Sequence, residues 1–444
     1  MTLLAHQQAQ PTSPLTSHEE LAVLLIEARV RTLLLIESLT DDDVARQHDP
    51  LMSPILWDLG HIAGFEALWL GQNLDGPIEF GEMPGLYDPF AHPRRDRGAL
   101  PLPGRADILA ALAAVRERTL ERVGTLALDG PSPLLRDGYV VHMVAQHEYQ
   151  HNETMLQALQ LKQGAPYRAP RTSAQAAAAT ALPAGMVSVP GGVYPLGTDD
   201  RASAYDNERP RHAQALTPFA IDVAPVSNGD YLAFIDDGGY RTRRWWSEAG
   251  WTWQDAAGAE APMYWTRAES GWRTRSMDRV HDVEPAHPVC HVSWYEAEAY
   301  SRWAGKRLPT EAEWEVAASW DPAAHRARRF PWGERPPTAA DANVDQLRFG
   351  TAPIGSYAGN LSPLGCSGMI GDVWEWTSSE LTAYPGFEAF PYPEYSAVFF
   401  GVECKVLRGG SWATRPGAIR NTFRNWDYPI RRQIFSGFRC ARDE

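Results

Sequence analysis

Residues 134–163 read LLRDGYVVHMVAQHEYQHNETMLQALQLKQ, a run with apolar side chains at helical spacing that carries His147 and His151 four residues apart. Four residues make about one helical turn, so both imidazoles lie on one face with their Cβ atoms roughly 5–6 Å apart, close enough to share an ion. The pair alone is a modest signal, because histidines at this spacing also occur on solvated and core-facing helix surfaces. A third histidine strengthens it. His61 lies midway along SPILWDLGHIAGFE, residues 53–66, where an unpartnered polar ring in apolar surroundings is costly. Three neutral imidazoles suit zinc, iron, copper or nickel, so the ligand set does not choose the metal. Zinc in a hydrolase or thiol transferase, or in a binding module without oxidative chemistry, is the plain alternative. Glu148 and Glu153 flank the ligands and read first as a solvated helix face, with carboxylates that support the ligands from behind as the alternative.

Outward from this run, the first half of the chain is helical in pattern. Ser17-His-Glu-Glu20 forms a capping box ahead of LAVLLIEARVRTLLLIESL. A second helix is expected from Ser53 as cap and Pro54 in the first turn, and a third after Gly104. Four amphipathic helices predict an antiparallel bundle, an ordinary place for a metal site. The connection between the second and third, residues 75–103, is rich in Gly and Pro and of a length that is often functional. Residues 164–184, GAPYRAPRTSAQAAAATALPA, have the Ala, Pro and Ser bias of a linker. Beyond them, short alternating strands such as MVSVPGGVYPLG at 186–197, many Gly and Trp, and two clear helical runs at 294–305 and 310–318 predict a loop-rich mixed domain. The expectation is an α+β chain: a four-helix bundle over 1–163, a linker over 164–184 and a second domain over 185–444.

Composition narrows the function. At 444 residues the chain exceeds one ordinary core. With 41 Lys plus Arg against 55 Asp plus Glu, its charge of -14 repels phosphate backbones and speaks against a nucleic-acid partner. The opening MTLLAHQQAQPTSPLTS lacks a basic start and a long apolar run, and residues 21–36 are broken by charges, so no membrane association and a cytoplasmic location are expected. Four widely spaced cysteines, Cys290, Cys366, Cys404 and Cys440, form no CxxC pair and read as mostly buried thiols. Seventeen Trp and sixteen Tyr supply packing area and also faces that hold cations.

Several long motifs in a fixed order carry a family resemblance. They are SPILWDLGHIAGFE (53–66), HEYQHNE (147–153), AYDNERPRH (204–212), HPVCHVSWYEAEAYSRWAGKRLPTEAEWE (287–315), GDVWEWTSS (371–379), VLRGGSW (406–412) and FRNWDYPIRRQIFSGFR (423–439). Over nearly its whole length the chain resembles the EgtB-type sulfoxide synthases of ergothioneine biosynthesis, with the related selenoneine synthases as close relatives. The resemblance implies a DinB-like four-helix bundle followed by a C-type-lectin-like, formylglycine-generating-enzyme-like domain. It narrows the metal to Fe(II) on His61, His147 and His151, with O2 as co-substrate. It implies coupling of the thiol of γ-glutamylcysteine, or of cysteine, to the imidazole C2 of hercynine (N-alpha-trimethylhistidine) with oxidation to a sulfoxide. A selenosugar in place of the thiol is the rival within the fold. Formylglycine-generating activity is disfavoured, because it needs a reactive cysteine just after RGGSW and residues 408–426 contain none.

The resemblance also implies residue roles. In YPGFEAFPYPEYS, residues 384–396, Tyr392 takes the place of the catalytic tyrosine, with Tyr384 as a nearby rival and Tyr395 in the imidazole pocket. A phenol with an ordinary pKa of ~10 can give a proton to reduced oxygen while staying a poor metal ligand at neutral pH. Gln150, Asn425 and Trp426 line the hercynine site, whose trimethylammonium has no donor and is held by aromatic faces and dipoles. Arg94 and Arg97 on the long connection, with Arg95 ambiguous, join Asp427 and Arg431 in gripping the amino-acid end of the thiol co-substrate. Arginine forks suit its carboxylates.

Overall fold

A computed structural model describes residues 16–74, 76, 84–170, 179–269 and 271–444. Residues 1–15, positions 75 and 77–83 of the long connection, and 171–178 of the linker stretch lie outside the described residues. The chain forms two compact units. One comprises the described residues up to Pro170 with Arg201–Ser203; the other comprises those of Arg171–Asp200 and Ala204–Glu444.

The first unit holds α1 (His18–Ile36), a short α2 (Asp41–Ala45), α3 (Ile55–Leu70), α4 (Arg105–Val123) and α5 (Tyr139–Gln160). The capping box at Ser17 and Glu20 starts α1 as expected. Ser53 does not cap α3. Its N-cap is Pro54, without a side-chain bond, because the Ser53 hydroxyl instead accepts from Arg97 Nη1 at 2.8 Å. A left-handed Gly138 opens α5, a conformation that glycine adopts without steric cost. Packing of α1 on α4 and α5, and of α3 on α4 and α5, closes the bundle.

Each long helix sends one charge into the centre. Arg29 of α1 bonds Glu66 of α3 and Glu148 of α5, and Arg116 of α4 bonds the same two carboxylates, all four contacts at 2.8 Å. Thr32 adds a hydroxyl to Glu148. Glu148 is therefore a buried ion-pair partner, not part of a solvated face, and Glu153 is buried as well. Polar side chains were affordable here because every charge faces an opposite one.

The second unit is a set of small sheets joined by long connections. β1 (Met186–Val189), β4 (Phe219–Asp222) and β14 (Ala441–Asp443) make one sheet in the order β1-β4-β14, which ties the C-terminal strand to the first. β2 (Gly192–Leu196) pairs with β3 (His212–Leu216). Helices α6 (Asn228–Asp236) and α7 (Glu248–Ala257) precede the sheet of β5 (Trp265–Ala268), β6 (Gly271–Ser276) and β7 (Arg279–Asp282). Two capped helices follow, α8 (Trp294–Trp303) and α9 (Glu311–Ser319), then the small pair β8 (Trp320–Asp321) and β9 (Arg326–Ala327). The last sheet has the order β12-β11-β10-β13, from β10 (Trp374–Glu380), β11 (Lys405–Arg408), β12 (Asn425–Asp427) and β13 (Ser436–Gly437). Trp314 of α9 and Phe219 and Ile221 of β4 anchor its core. Cys366, Cys404 and Cys440 are buried thiols and Cys290 is partly exposed. Among the described residues, no helix is long and apolar enough to cross a membrane.

The four-charge centre makes a stability prediction. Glu66→Ala leaves two guanidiniums facing one carboxylate and should cost about 3–5 kcal/mol, read from urea unfolding by circular dichroism. Burial alone would raise the Glu148 carboxyl, but Arg29 and Arg116 outweigh it and hold the group at about 2 against an ordinary 4.5. Its contribution is thus full above pH 4.5 and fades as the pH falls toward 2. Acid titration of wild type against Glu148→Gln should show that difference shrinking over this window.

Candidate metal and substrate sites

The three histidines come together. His61 from α3 and His147 and His151 from α5 place one ring nitrogen each within 4.8 Å of one another. His61 Nε2 lies 3.1 Å from His147 Nε2. The outward nitrogens of two rings are already occupied. His61 Nδ1 meets the Tyr87 carbonyl at 2.8 Å and His151 Nδ1 meets Asp58 at 2.9 Å. An Nδ1–H that donates outward leaves the Nε2 lone pair pointing inward, the tautomer a metal ligand needs. Phe65 stacks on His147 at 3.7 Å between ring centroids. Burial, and then the neighbouring His151, push His61 and His147 well below the ordinary histidine range, so both rings are neutral. This donor set fits a divalent transition metal.

The connection 84–99 holds the outer side of His61. Gly60 permits the approach, since a Cβ there would overlap the Tyr87 ring. Trp57 stacks on His61 with centroids 4.8 Å apart and 11° between planes, and its Nε1 donates to the Leu86 carbonyl. On Trp57 lies the Arg97 guanidinium, 3.5 Å from the ring centroid. Arg97 is buried and donates to His92 O, Ser53 Oγ and Pro89 O. Burial lowers its pKa to about 10, which leaves it charged at neutral pH. Its planar cation braces Trp57. Arg94 is half-buried and Arg95 exposed. Gln150 is half-buried on α5.

Sequence reasoning did not single out Trp57, Asp58 or Tyr87. Asp58 had a signal, a carboxylate three residues before His61 in an otherwise apolar run. Tyr87 acts through its backbone carbonyl, which has no side-chain signature.

In the second unit, Tyr392, Tyr395 and Trp426 converge, and Asn425 precedes Trp426 on β12. Tyr395 meets Trp426 edge-on at 5.8 Å and 82°, and Tyr392 lies 6.4 Å from Tyr395. Trp426 packs its other side on Leu381, Cys404 and Val406. Tyr384 is set apart from this group: its hydroxyl donates to Glu311 at 2.8 Å under the Arg424 guanidinium. Burial, with Glu311 adding to it, raises the Tyr384 phenol well above its ordinary pKa. Asp427 faces Arg431 Nε at 3.4 Å, and the buried Arg431 Nη1 has no hydrogen-bond partner among the described residues.

Comparisons with known proteins account for both units. Residues 24–155 match the DinB superfamily and residues 171–444 the sulfatase-modifying factor enzyme 1-like domain. The chain is 47% identical over 436 residues to a hercynine oxygenase of Mycobacterium tuberculosis, covering 97% of this chain and 100% of the relative. The chain belongs to the hercynine oxygenase family. A second relative with that name, from Mycolicibacterium thermoresistibile, is 47% identical over 96% of this chain and 95% of its own length. A formylglycine-generating enzyme of Thermomonospora curvata is 36% identical over 58% of this chain and 93% of its own. The DinB-like bundle and the formylglycine-generating-enzyme-like domain of the α+β reading are both present.

The Asp58 contact gives a test. Asp58→Ala frees the His151 ring, and divalent metal affinity should fall roughly 10–100-fold in a chelator-competition titration, with the helical circular dichroism retained.

Proposed function

We propose that this protein is a hercynine oxygenase that joins a thiol sulfur to the imidazole C2 of hercynine and oxidises that sulfur to a sulfoxide. The observation that carries the reading is the 47% identity to hercynine oxygenases along 97% of the chain. In the balanced reaction a thiol, hercynine and O2 give the sulfoxide conjugate and one water. The S–H and C2–H protons leave, S–C and S–O bonds form, and the four electrons released reduce O2.

His61, His147 and His151 would hold Fe(II). When bound there, Fe(II) supplies sites for O2 and for the substrate sulfur and imidazole. The protein contributes placement and a proton. Tyr395 and Trp426, at right angles, present aromatic surface to the trimethylammonium, and Asn425 and Gln150 are assigned to the same substrate. Tyr392 offers its phenolic proton to reduced oxygen. The co-substrate is a carboxylate-bearing thiol, γ-glutamylcysteine before free cysteine. The Arg431 guanidinium, whose buried Nη1 has no hydrogen-bond partner among the described residues, suits a carboxylate, Asp427 suits the α-ammonium, and Arg94 supplies a second cation.

Anaerobically purified, Fe(II)-loaded protein should consume O2 with hercynine and γ-glutamylcysteine and release the sulfoxide conjugate, followed by mass and O2 uptake. Parallel reactions use cysteine or selenoglucose. Product from selenoglucose alone would overturn the sulfur assignment, and absence of O2 uptake with every donor would overturn the oxidative one. Arg431→Met should raise the KM for γ-glutamylcysteine roughly 10–100-fold, the loss of one charge-assisted bond, with the hercynine KM little changed. Tyr392→Phe should cut sulfoxide formation by about 100-fold or more while O2 is still consumed.

A further inference from the structure

The segment that bears Tyr392 has little regular structure of its own. Its one short element is the 3-10 turn Pro393–Tyr395, outside every sheet of the second unit. Such a segment needs support from outside to hold a side chain to within about 0.5 Å. The support comes from the motif AYDNERPRH. Asp206 is 1% exposed, and its two carboxylate oxygens bind the two ends of the segment. Oδ2 accepts the Phe390 N–H at 3.1 Å, and Oδ1 accepts the Ser396 hydroxyl at 2.5 Å. Tyr392 and Tyr395 lie between those anchors. Next to Asp206, the Tyr205 ring stacks on Tyr395 at 4.1 Å and 19°.

The mount beneath Asp206 is itself fastened. It belongs to the 3-10 turn Asp206–Glu208. The Glu208 carboxylate is bound by Arg420 and by the Thr422 hydroxyl, its carbonyl accepts from Thr198 N at 3.0 Å, and Arg424 Nη1 donates to the Asn207 carbonyl at 2.8 Å. Asp206 thus transmits a rigid platform to an irregular loop through one side chain.

We infer that Asp206 is a positioning residue for the oxidative reaction, a single buried carboxylate that pins both ends of 390–396 and so fixes where Tyr392 and Tyr395 stand. The inference rests on the assignment of Tyr392 as proton donor. Releasing the pins lets the phenol move, and a misplacement of about 1 Å can cost on the order of 100-fold in rate.

Four variants test it in the full-length, metal-loaded protein: Asp206→Ala, Asp206→Asn, Ser396→Ala and Tyr392→Phe. Each is followed by kcat and KM for sulfoxide formation, by the fraction of consumed O2 that appears as sulfoxide, and by hydrogen exchange of peptides spanning 389–397. D206A should speed exchange in those peptides, lower kcat roughly 10–100-fold and shift O2 away from sulfoxide in the same direction as Y392F. S396A, which removes one pin, should fall between D206A and wild type. D206N should rescue most of the loss, because its amide can accept from Phe390 and donate to the rotatable Ser396 hydroxyl. Unchanged exchange at 389–397 in D206A would overturn the inference. So would faster exchange with the sulfoxide fraction unmoved while Y392F moves it. If Y392F itself leaves that fraction unchanged, the proton-donor assignment fails and the positioning role with it.

Discussion

Two guanidiniums and two carboxylates, one from each long helix, meet at the centre of the first unit. A group of this kind is neutral only when complete, and taking charges out of water costs several kcal/mol per ion unless each finds its partner. The arrangement therefore tolerates few rotations or slides of any helix about its axis. Glu148 directly follows His147, and Glu66 lies five residues after His61 on α3. Fixing the two carboxylates fixes the faces of α3 and α5, and the imidazoles converge as a consequence.

Convergence is not sufficient, because three imidazoles can present their lone pairs to one point only if the protein settles their tautomers. For His61 and His151 this is done by acceptors of different kinds, a backbone carbonyl and a carboxylate. The carbonyl belongs to the irregular connection, and that connection is in turn held to α3 by Trp57 and Arg97. Arg97 over Trp57 over His61 is a stack of three flat groups with a cation at its outer end. Such a stack restrains ring orientation without offering another ligand atom. It also explains why a buried arginine is tolerated here: its donors are met by two carbonyls and a hydroxyl.

The histidine site was legible in the sequence for a physical reason. The i, i+4 spacing follows from helix geometry, and a histidine in an apolar helix must find a partner. Ser53 was misread as a helix cap, the commonest role of its type, while in the fold its hydroxyl accepts from Arg97. Glu148 was misread because a charge beside a ligand looks solvated until two other helices bring it partners. The second unit was legible mainly through the order of its motifs. Its irregular loops have no periodicity to read, and α6 and α7 escaped notice, although Ser227 and Ser247 cap them in the ordinary way.

Asp58 and Asp206 solve the same problem in different settings. Each is about 1% exposed, and each touches a group that serves the proposed reaction, not a substrate. Asp58 orients a ring on a regular helix, where one contact suffices because the backbone is already fixed. Asp206 acts on a segment without regular hydrogen bonding, so one contact would leave a free end, and both of its oxygens are used. The difference follows from the backbone each has to restrain. A helix surrenders only side-chain rotation, whereas a loop must be held at both ends before a side chain between them has a defined position.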